Sequence, residues 1–292
     1  MEIFIEQVLA GLSTGAIYAC LGLAVVMIYQ STGHLNFAQG EMAMVSTFVA
    51  WQLIQWGVPY WVAFFITVAL SFMMGVIFER VLMAPLRNAH ALSHIAVFIG
   101  LLVILNSTAG FIWDFTVKTF PSPFGTAPVF GSHLVSAHEA GMMMITGVLL
   151  LVMFAFFRYT RLGLAMKAAA ENPVSARLVG IRVGRMQALG WGVATAVGSI
   201  AGMLIAPIVF LEPNMMAGTV LYGFAGAVLG GLASPGGAVL GGLIVGVLEN
   251  LSGTFIPVIG GELKLPIALL IIVAVLVVKP QGLLGRASTQ RV

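Results

Sequence analysis

RYTRLGLAMKAAAENPVSARLVGIRVGRM, Arg158 to Met186, places Arg158, Arg161, Lys167, Arg177, Arg182 and Arg185 in one stretch of a 292-residue chain in which only 8% of residues are charged. On either side the sequence turns apolar for long distances. With 60% hydrophobic residues and a mean hydropathy of +1.07, the chain lies far from soluble domains, where about 25% of residues are charged. The stretch therefore reads as a polar loop between membrane spans of a polytopic, all-α protein. The formal net charge of +3 does not call for nucleic acid, because the basic residues sit between apolar runs, as membrane topology requires.

Inside this loop, Asn172 followed by Pro173 suits an N-cap and first helical position, and Gly180 supplies a stop after two turns. The spacing predicts a short helix from Pro173 to Val179, presenting Val174, Leu178 and Val179 beside Arg177. The Ala-rich segment Leu164 to Glu171 is helical by propensity. Such a pair forms either a protruding knob with apolar and charged contacts or an amphipathic segment resting on the inner leaflet.

Working outward, apolar runs of about 17 to 25 residues, long enough to cross the hydrocarbon layer, fall at Gln7 to Tyr29, Asn36 to Trp56, Tyr60 to Phe78, Ser93 to Trp113 and Glu139 to Phe157. Four more follow at Gln187 to Phe210, Gly218 to Ala233, Ala238 to Ile256 and Lys264 to Val278. Lys and Arg stay cytoplasmic, so Arg80 and Arg87, the loop 158–186, and Lys279, Arg286 and Arg291 mark the inner face. The loop Asp114 to His138, with Lys118 as its only basic residue, is outside, and counting back puts the N-terminus outside. Trp51, Trp56, Tyr60 and Trp61 bracket a turn at the outer surface, as interfacial aromatics do. Glu2 and Glu6 ahead of the first run are the wrong charge for a cleaved signal.

Glycines spaced four apart, Gly11 and Gly15, Gly198 and Gly202, Gly226 and Gly230, Gly237 and Gly241, Gly242 and Gly246, predict close helix packing. The glycines of Gly230 to Gly237 are not a P-loop, lacking the Gly-Lys-Ser/Thr ending. Cys20 is the only cysteine, so disulfides and thiolate metal sites are excluded. The histidines His90, His94, His133 and His138 share no helical face that would suggest a metal site.

The second polar feature is Gly33-His34-Leu35-Asn36-Phe37-Ala38-Gln39-Gly40-Glu41. A carboxylate at mid-span costs about 2.5 to 3.5 kcal/mol on insertion scales, so a deep Glu41 has to face protein or water. The stretch is either a broken or re-entrant opening of the second span that lines a cavity or an interfacial loop in which Asn36 caps a helix. Glu249 and Asn250 read as partly hydrated or bonded to a neighbour, and Glu212-Pro213-Asn214 as an outer turn.

Four ordered blocks carry a family resemblance: Gly33 to Glu41; Arg161-Leu162-Gly163 through Ala170-Glu171-Asn172-Pro173 to Gly180-Ile181; Ala227-Val228-Leu229-Gly230-Gly231 with Gly236-Gly237-Ala238; and Lys279-Pro280-Gln281-Gly282-Leu283-Leu284-Gly285. Through them the chain resembles LivH-type permeases of branched-chain amino-acid ABC importers over nearly its whole length. The resemblance implies one inner-membrane permease domain over residues 1–292, about eight or nine transmembrane helices, a cytoplasmic C-terminus and a cytoplasmic coupling helix within 158–186. It implies as partners a second, LivM-type permease, two LivG/LivF-type ATPases that bind the ATP, a periplasmic substrate-binding protein and membrane lipid, with no cofactor on this chain and no nucleic acid.

By the same resemblance, Ala168, Glu171, Asn172, Pro173, Ala176, Arg177 and Gly180 engage the ATPase, and Asn36, Phe37, Gln39, Gly40, Glu41 and Tyr222 line the translocation path. Tyr222 stands where many relatives carry a lysine, and related importers take other amino acids, amides, urea or small carboxylates. A gradient-driven transporter would need midplane carboxylates or cation sites, for which Glu41 is the one strong candidate. An intramembrane enzyme is disfavoured because no paired acids or nucleophile–base arrangement falls within the spans.

Overall fold

The computed structural model describes residues 2–87, 89–125, 127–128 and 135–256, together with 263, 266, 269–270, 273–275, 277, 279 and 282–285. Among the described residues the regular structure is helical, apart from two isolated antiparallel bridges. Its helices are α1 (Glu2–Thr32), α2 (Gln39–Gln55), α3 (Tyr60–Phe78), α4 (Ala91–Trp113), α5 (Ala137–Tyr159), α6 (Arg161–Glu171), α7 (Pro173–Leu178), α8 (Val183–Val209), α9 (Met216–Gly230) and α10 (Pro235–Phe255). A π-helical turn, Glu79–Met83, extends α3.

Among the described residues, six segments are long and apolar enough to cross a membrane: Ile3–Gln30, Tyr60–Met83, Leu92–Trp113, Ala137–Tyr159, Val183–Val209 and Pro235–Phe255. The runs expected at Asn36 to Trp56 and Gly218 to Ala233 are also helical, but as shorter helices of 17 and 15 residues. The expected span Lys264 to Val278 lies largely outside the described residues.

Local chemistry explains the helix ends. Ser234 accepts a hydrogen bond from the Gly237 amide at 3.0 Å, with Pro235 in the first turn, so the Ser-Pro-Gly-Gly break works as the start of α10. At α5, the Ser136 amide and hydroxyl both donate to the Glu139 carboxylate at 2.8 Å, and the Glu139 amide donates back to the Ser136 hydroxyl at 3.2 Å. This reciprocal box satisfies amides that the helix leaves open, and it starts the helix ahead of the expected span. Gly33, at φ 74°, closes α1 with its amide donating to the Tyr29 carbonyl at 2.7 Å, a left-handed position that glycine reaches without a Cβ penalty.

The chain forms two compact units that interleave along the sequence: residues 1–26, 124–146 and 218–292, and residues 27–123 and 147–217. Three of the four boundaries fall inside α1, α5 and α9, and the fourth lies in the loop between α4 and α5.

In the first unit, glycines let three helices meet backbone to backbone. A methyl group on Gly11 would stand 2.7 Å from the Val247 Cα, and one on Gly226 would stand 2.6 Å from the Gly242 Cα. Between helices in lipid there is no hydrophobic driving force, so dispersion at such close approach supplies the attraction. Polar bonds complete this unit. The Tyr18 hydroxyl donates to Glu249 at 2.7 Å, and the Asn250 amide donates to the Thr14 hydroxyl at 3.0 Å. Two of the four sequence blocks also meet here, with the amides of Leu283 and Leu284 donating to the carbonyls of Leu229 and Gly230 at 2.8 and 3.0 Å.

The second unit packs α2, α3 and α4 around α8. Trp191 of α8 is fully buried and stacks on Phe98 at 6.0 Å. Gly75, Gly198 and Gly202 lie against Trp191, Gln39 and Thr47. Ser71 donates to Ser46 at 2.8 Å, joining α3 to α2. Lys118 and Leu211 exchange amide–carbonyl bonds of 2.9 Å, joining the loop after α4 to the residues after α8.

Candidate functional site

Two sites emerge in the second unit, a capped knob between α5 and α8 and a polar cluster where α2 begins. In the knob, Thr160 caps α6 by accepting from the Gly163 amide at 3.0 Å. Asn172 ends α6 and starts α7, its side-chain oxygen accepting from the Ser175 amide at 2.9 Å, with Pro173 in the first turn of α7.

The exit of α7 is as well specified as its start. The Gly180 amide donates to the Arg177 carbonyl and the Ile181 amide to the Ala176 carbonyl, both at 3.0 Å, with Gly180 at φ 85°. That bond pair with an apolar contact across it is a Schellman closure. The apolar contact is present, since Ile181 packs on the buried cluster of Ala169, Ala176 and Val183. An isolated helix of six residues would not persist in water, so caps at both ends and this small core hold it.

Ala176 is the buried anchor, whereas Ala168, Glu171, Asn172, Pro173, Arg177 and Gly180 are exposed. Val174, Leu178 and Val179 are also exposed, at 68%, 84% and 76%. The knob thus presents apolar side chains flanked by charge, on a backbone fixed from both ends.

The residues 33–41 form a turn followed by the first turn of α2. Asn36 is fully buried; its side-chain oxygen accepts from the Ala38 amide at 3.0 Å and its amide meets the Met42 sulfur at 3.5 Å. Asn36 therefore shapes the turn ahead of α2, while Ala38, with no side-chain bond, occupies the N-cap position. Gly40 is buried and Phe37 is exposed. Gln39 is fully buried and donates to the Ala194 carbonyl at 3.2 Å. Ala194 lies about eleven residues into α8, roughly 16 Å from its start and roughly 22 Å from its end at ~1.5 Å per residue. So α2 begins near the mid-length of a spanning helix.

Glu41, 7% exposed, faces α4 instead. The Asn106 amide nitrogen lies 3.3 Å from the Glu41 carboxylate, 3.0 Å from the Pro213 carbonyl and 3.1 Å from the Asn214 side-chain oxygen. Three acceptors converge on one donor nitrogen, an acceptor-rich arrangement that favours a ligand carrying N–H or N⁺–H groups. Asn106 was not singled out from the sequence. Its signal was a lone amide in the apolar run Ile99 to Phe111, and only the fold places it beside Glu41.

Tyr222 belongs to the first unit. It is 8% exposed, stacks on Tyr18 at 4.9 Å between ring centroids and faces the Glu249 carboxylate that Tyr18 also bonds. His34 and His94, not paired by the sequence reading, lie with ring centroids 4.5 Å apart. No group of three or more metal-ligating side chains occurs among the described residues.

The Asn106 cluster supports a stability test. Asn106→Leu removes the donor and leaves a buried carboxylate short of a partner, at an expected cost of about 1–3 kcal/mol. Adding Glu41→Gln is expected to recover part of it, so thermal unfolding in detergent should show the double variant less damaged than the two singles summed. Strict additivity would mean the two side chains do not interact.

Multiple apolar spans define a multi-pass membrane protein, and the knob and the buried polar cluster are the features that a function must use. Residues 7–278 match the family described as branched-chain amino acid transport system / permease component, and the chain belongs to that family. It is 30% identical to the high-affinity branched-chain amino acid transport permease LivH of Escherichia coli K12, over 99% of this chain and 98% of that one. It is likewise 30% identical to BraD of Pseudomonas aeruginosa over 99% of this chain and 98% of that protein. Among solved structures, PsaBC from Streptococcus pneumoniae in complex with Fab shares the fold, with a TM-score of 0.50 at 14% identity over 93% of this chain and 91% of that chain.

Proposed function

We propose that this chain is the bacterial inner-membrane permease subunit of an ATP-driven importer, moving branched-chain or related small neutral amino acids delivered by a periplasmic binding protein. The observation that carries the ATP-driven half of this reading is the knob. A six-residue helix capped at both ends, with Val174, Leu178 and Val179 facing outward beside Arg177, is a rigid lever whose apolar surface fits a protein cleft. The sequence has no P-loop, so the stroke comes from partner ATPases that bind the ATP. The substrate half rests on family membership and on the LivH and BraD relatives.

In this reading the chain acts as one permease domain over residues 1–292, paired with a second, related permease. An odd number of spans puts the N-terminus in the periplasm and the C-terminus in the cytoplasm. Residues 36–41 are the broken opening of the second span. The meeting of Gln39 with the middle of α8 supports this, because irregular backbone at membrane depth is tolerated where it lines a cavity. Asn36, Phe37, Gln39, Gly40 and Glu41, joined by Asn106, line one part of the path, and Tyr222 another. The acceptor-rich cluster at Glu41 receives the ammonium end of the passing amino acid.

Uptake by proteoliposomes holding the two permeases, both ATPases and the binding protein tests this. Leucine accumulation should require ATP and all partners. Accumulation driven by an ion gradient with the ATPases omitted would refute the proposal. Cysteines placed at Asn36, Gln39 and Glu41 should react with water-soluble thiol reagents in at least one transport state, and protection in every state would remove these residues from the path.

A further inference from the structure

Five arginines drawn from two inner loops far apart in sequence line a single open groove in the second unit: Arg80 and Arg87 from one loop, Arg177, Arg182 and Arg185 from the other. Among the described residues, the one ion pair is Arg87 with Glu79, which is buried at the end of α3. The remaining four have no carboxylate partner there. Retention of positive charge on the inner side accounts for each arginine separately. It does not account for their convergence, which costs mutual repulsion unless an anion sits among them.

The helix that leads to the groove says what kind of anion. Ile66, Leu70, Met73, Ile77 and Val81 are exposed at 40%, 46%, 57%, 51% and 63%. At steps of three and four they form one stripe down α3, ending beside Arg80. A cationic pocket joined to an apolar stripe matches a molecule with an anionic head and a hydrocarbon tail. A free phosphate would leave the stripe unused, and so would an acidic peptide.

We propose that this groove binds the phosphodiester headgroup of an anionic phospholipid of the inner leaflet, with an acyl chain lying along α3. Arg80 and Arg185 contact the phosphate, together with Arg182. Glu79 holds Arg87 in place at the edge of the site.

Native mass spectrometry of the full chain, released from micelles holding equal phosphatidylglycerol and phosphatidylcholine, tests this. Retained lipid should be predominantly phosphatidylglycerol. Arg80→Gln with Arg185→Gln should reduce that preference roughly thirtyfold, about fivefold per arginine. Arg158→Gln with Arg161→Gln, outside the groove and matched in charge, should leave it within about twofold. Equal retention of the two lipids, or an equal loss from both double variants, overturns the proposal. Displacement of the lipid by glycerol phosphate would make this a soluble organophosphate site, and displacement by hexaglutamate would make it a protein-docking surface; either result overturns it too. Unfolding in phosphatidylcholine micelles serves as the folding control, and each single variant is read if the double variant fails it.

Discussion

Gly226→Val is expected to leave almost no folded protein. At this position even the first added carbon would stand 2.6 Å from the Gly242 Cα and 2.7 Å from its nitrogen, both backbone atoms that no rotamer change can move aside. Overpacking a core by a methylene costs about 1–3 kcal/mol where side chains can shift. Here whole helices must part, and the seam of Gly11, Gly15, Gly226, Gly242 and Gly246 loses contacts along its length. The expected loss of several kcal/mol is a large share of the roughly 5–15 kcal/mol that holds a typical domain together.

Gly100→Ala and Gly147→Ala are the matched controls, because nothing lies within 4 Å of a methyl group at either position. Both should be neutral or gain up to about 1 kcal/mol from better helix propensity. Thermal unfolding in detergent compares the three. A Gly226→Val protein that melts with the controls would show that the three-helix contact does not hold the first unit together.

The second large effect is expected at Gly180, on function instead of folding. Its φ of 85° suits glycine, and a β-branched side chain there is strained by roughly 1–3 kcal/mol. Gly180→Val therefore disfavours the turn that fixes Ile181 against Ala176 and so sets the direction of α7. The six-residue helix has little stability of its own to spend.

ATP-driven uptake should fall by more than tenfold, since ~1.4 kcal/mol of lost lever population is already tenfold. Unfolding of the isolated chain should shift little, because the knob is exposed. Glu171→Ala and Pro173→Ala should weaken ATPase association in the same direction but less, each altering one local feature. Normal uptake and normal ATPase co-purification in all three variants would remove the knob from the coupling path.

Much of the knob was legible in the chain itself. Asn172 and Gly180 act through hydrogen bonds to residues a few positions away and Pro173 through its own fixed φ, so their order along the sequence contains the geometry. The same holds for the Ser-Pro-Gly-Gly start of α10. The Ser136–Glu139 box was equally local and went unread, because its Ser136 lies ahead of the apolar run that begins at Glu139.

Glu249 and Asn250 found neighbours, Tyr18 and Thr14, that lie far away in sequence. The general expectation of a partner followed from the cost of a bare polar group in an apolar span, but its identity did not.

The sequence alone determined a polytopic helical membrane protein and the capped helix of the exposed knob, because hydropathy and capping are short-range or additive along the chain. Only the tertiary structure decided that Gln39 meets the middle of α8, that Asn106 shares its amide with Glu41, and that five arginines from two loops line one groove. Each depends on the registration of helices distant in sequence, which is set by glycine contacts and side-chain packing in three dimensions and which no local pattern encodes.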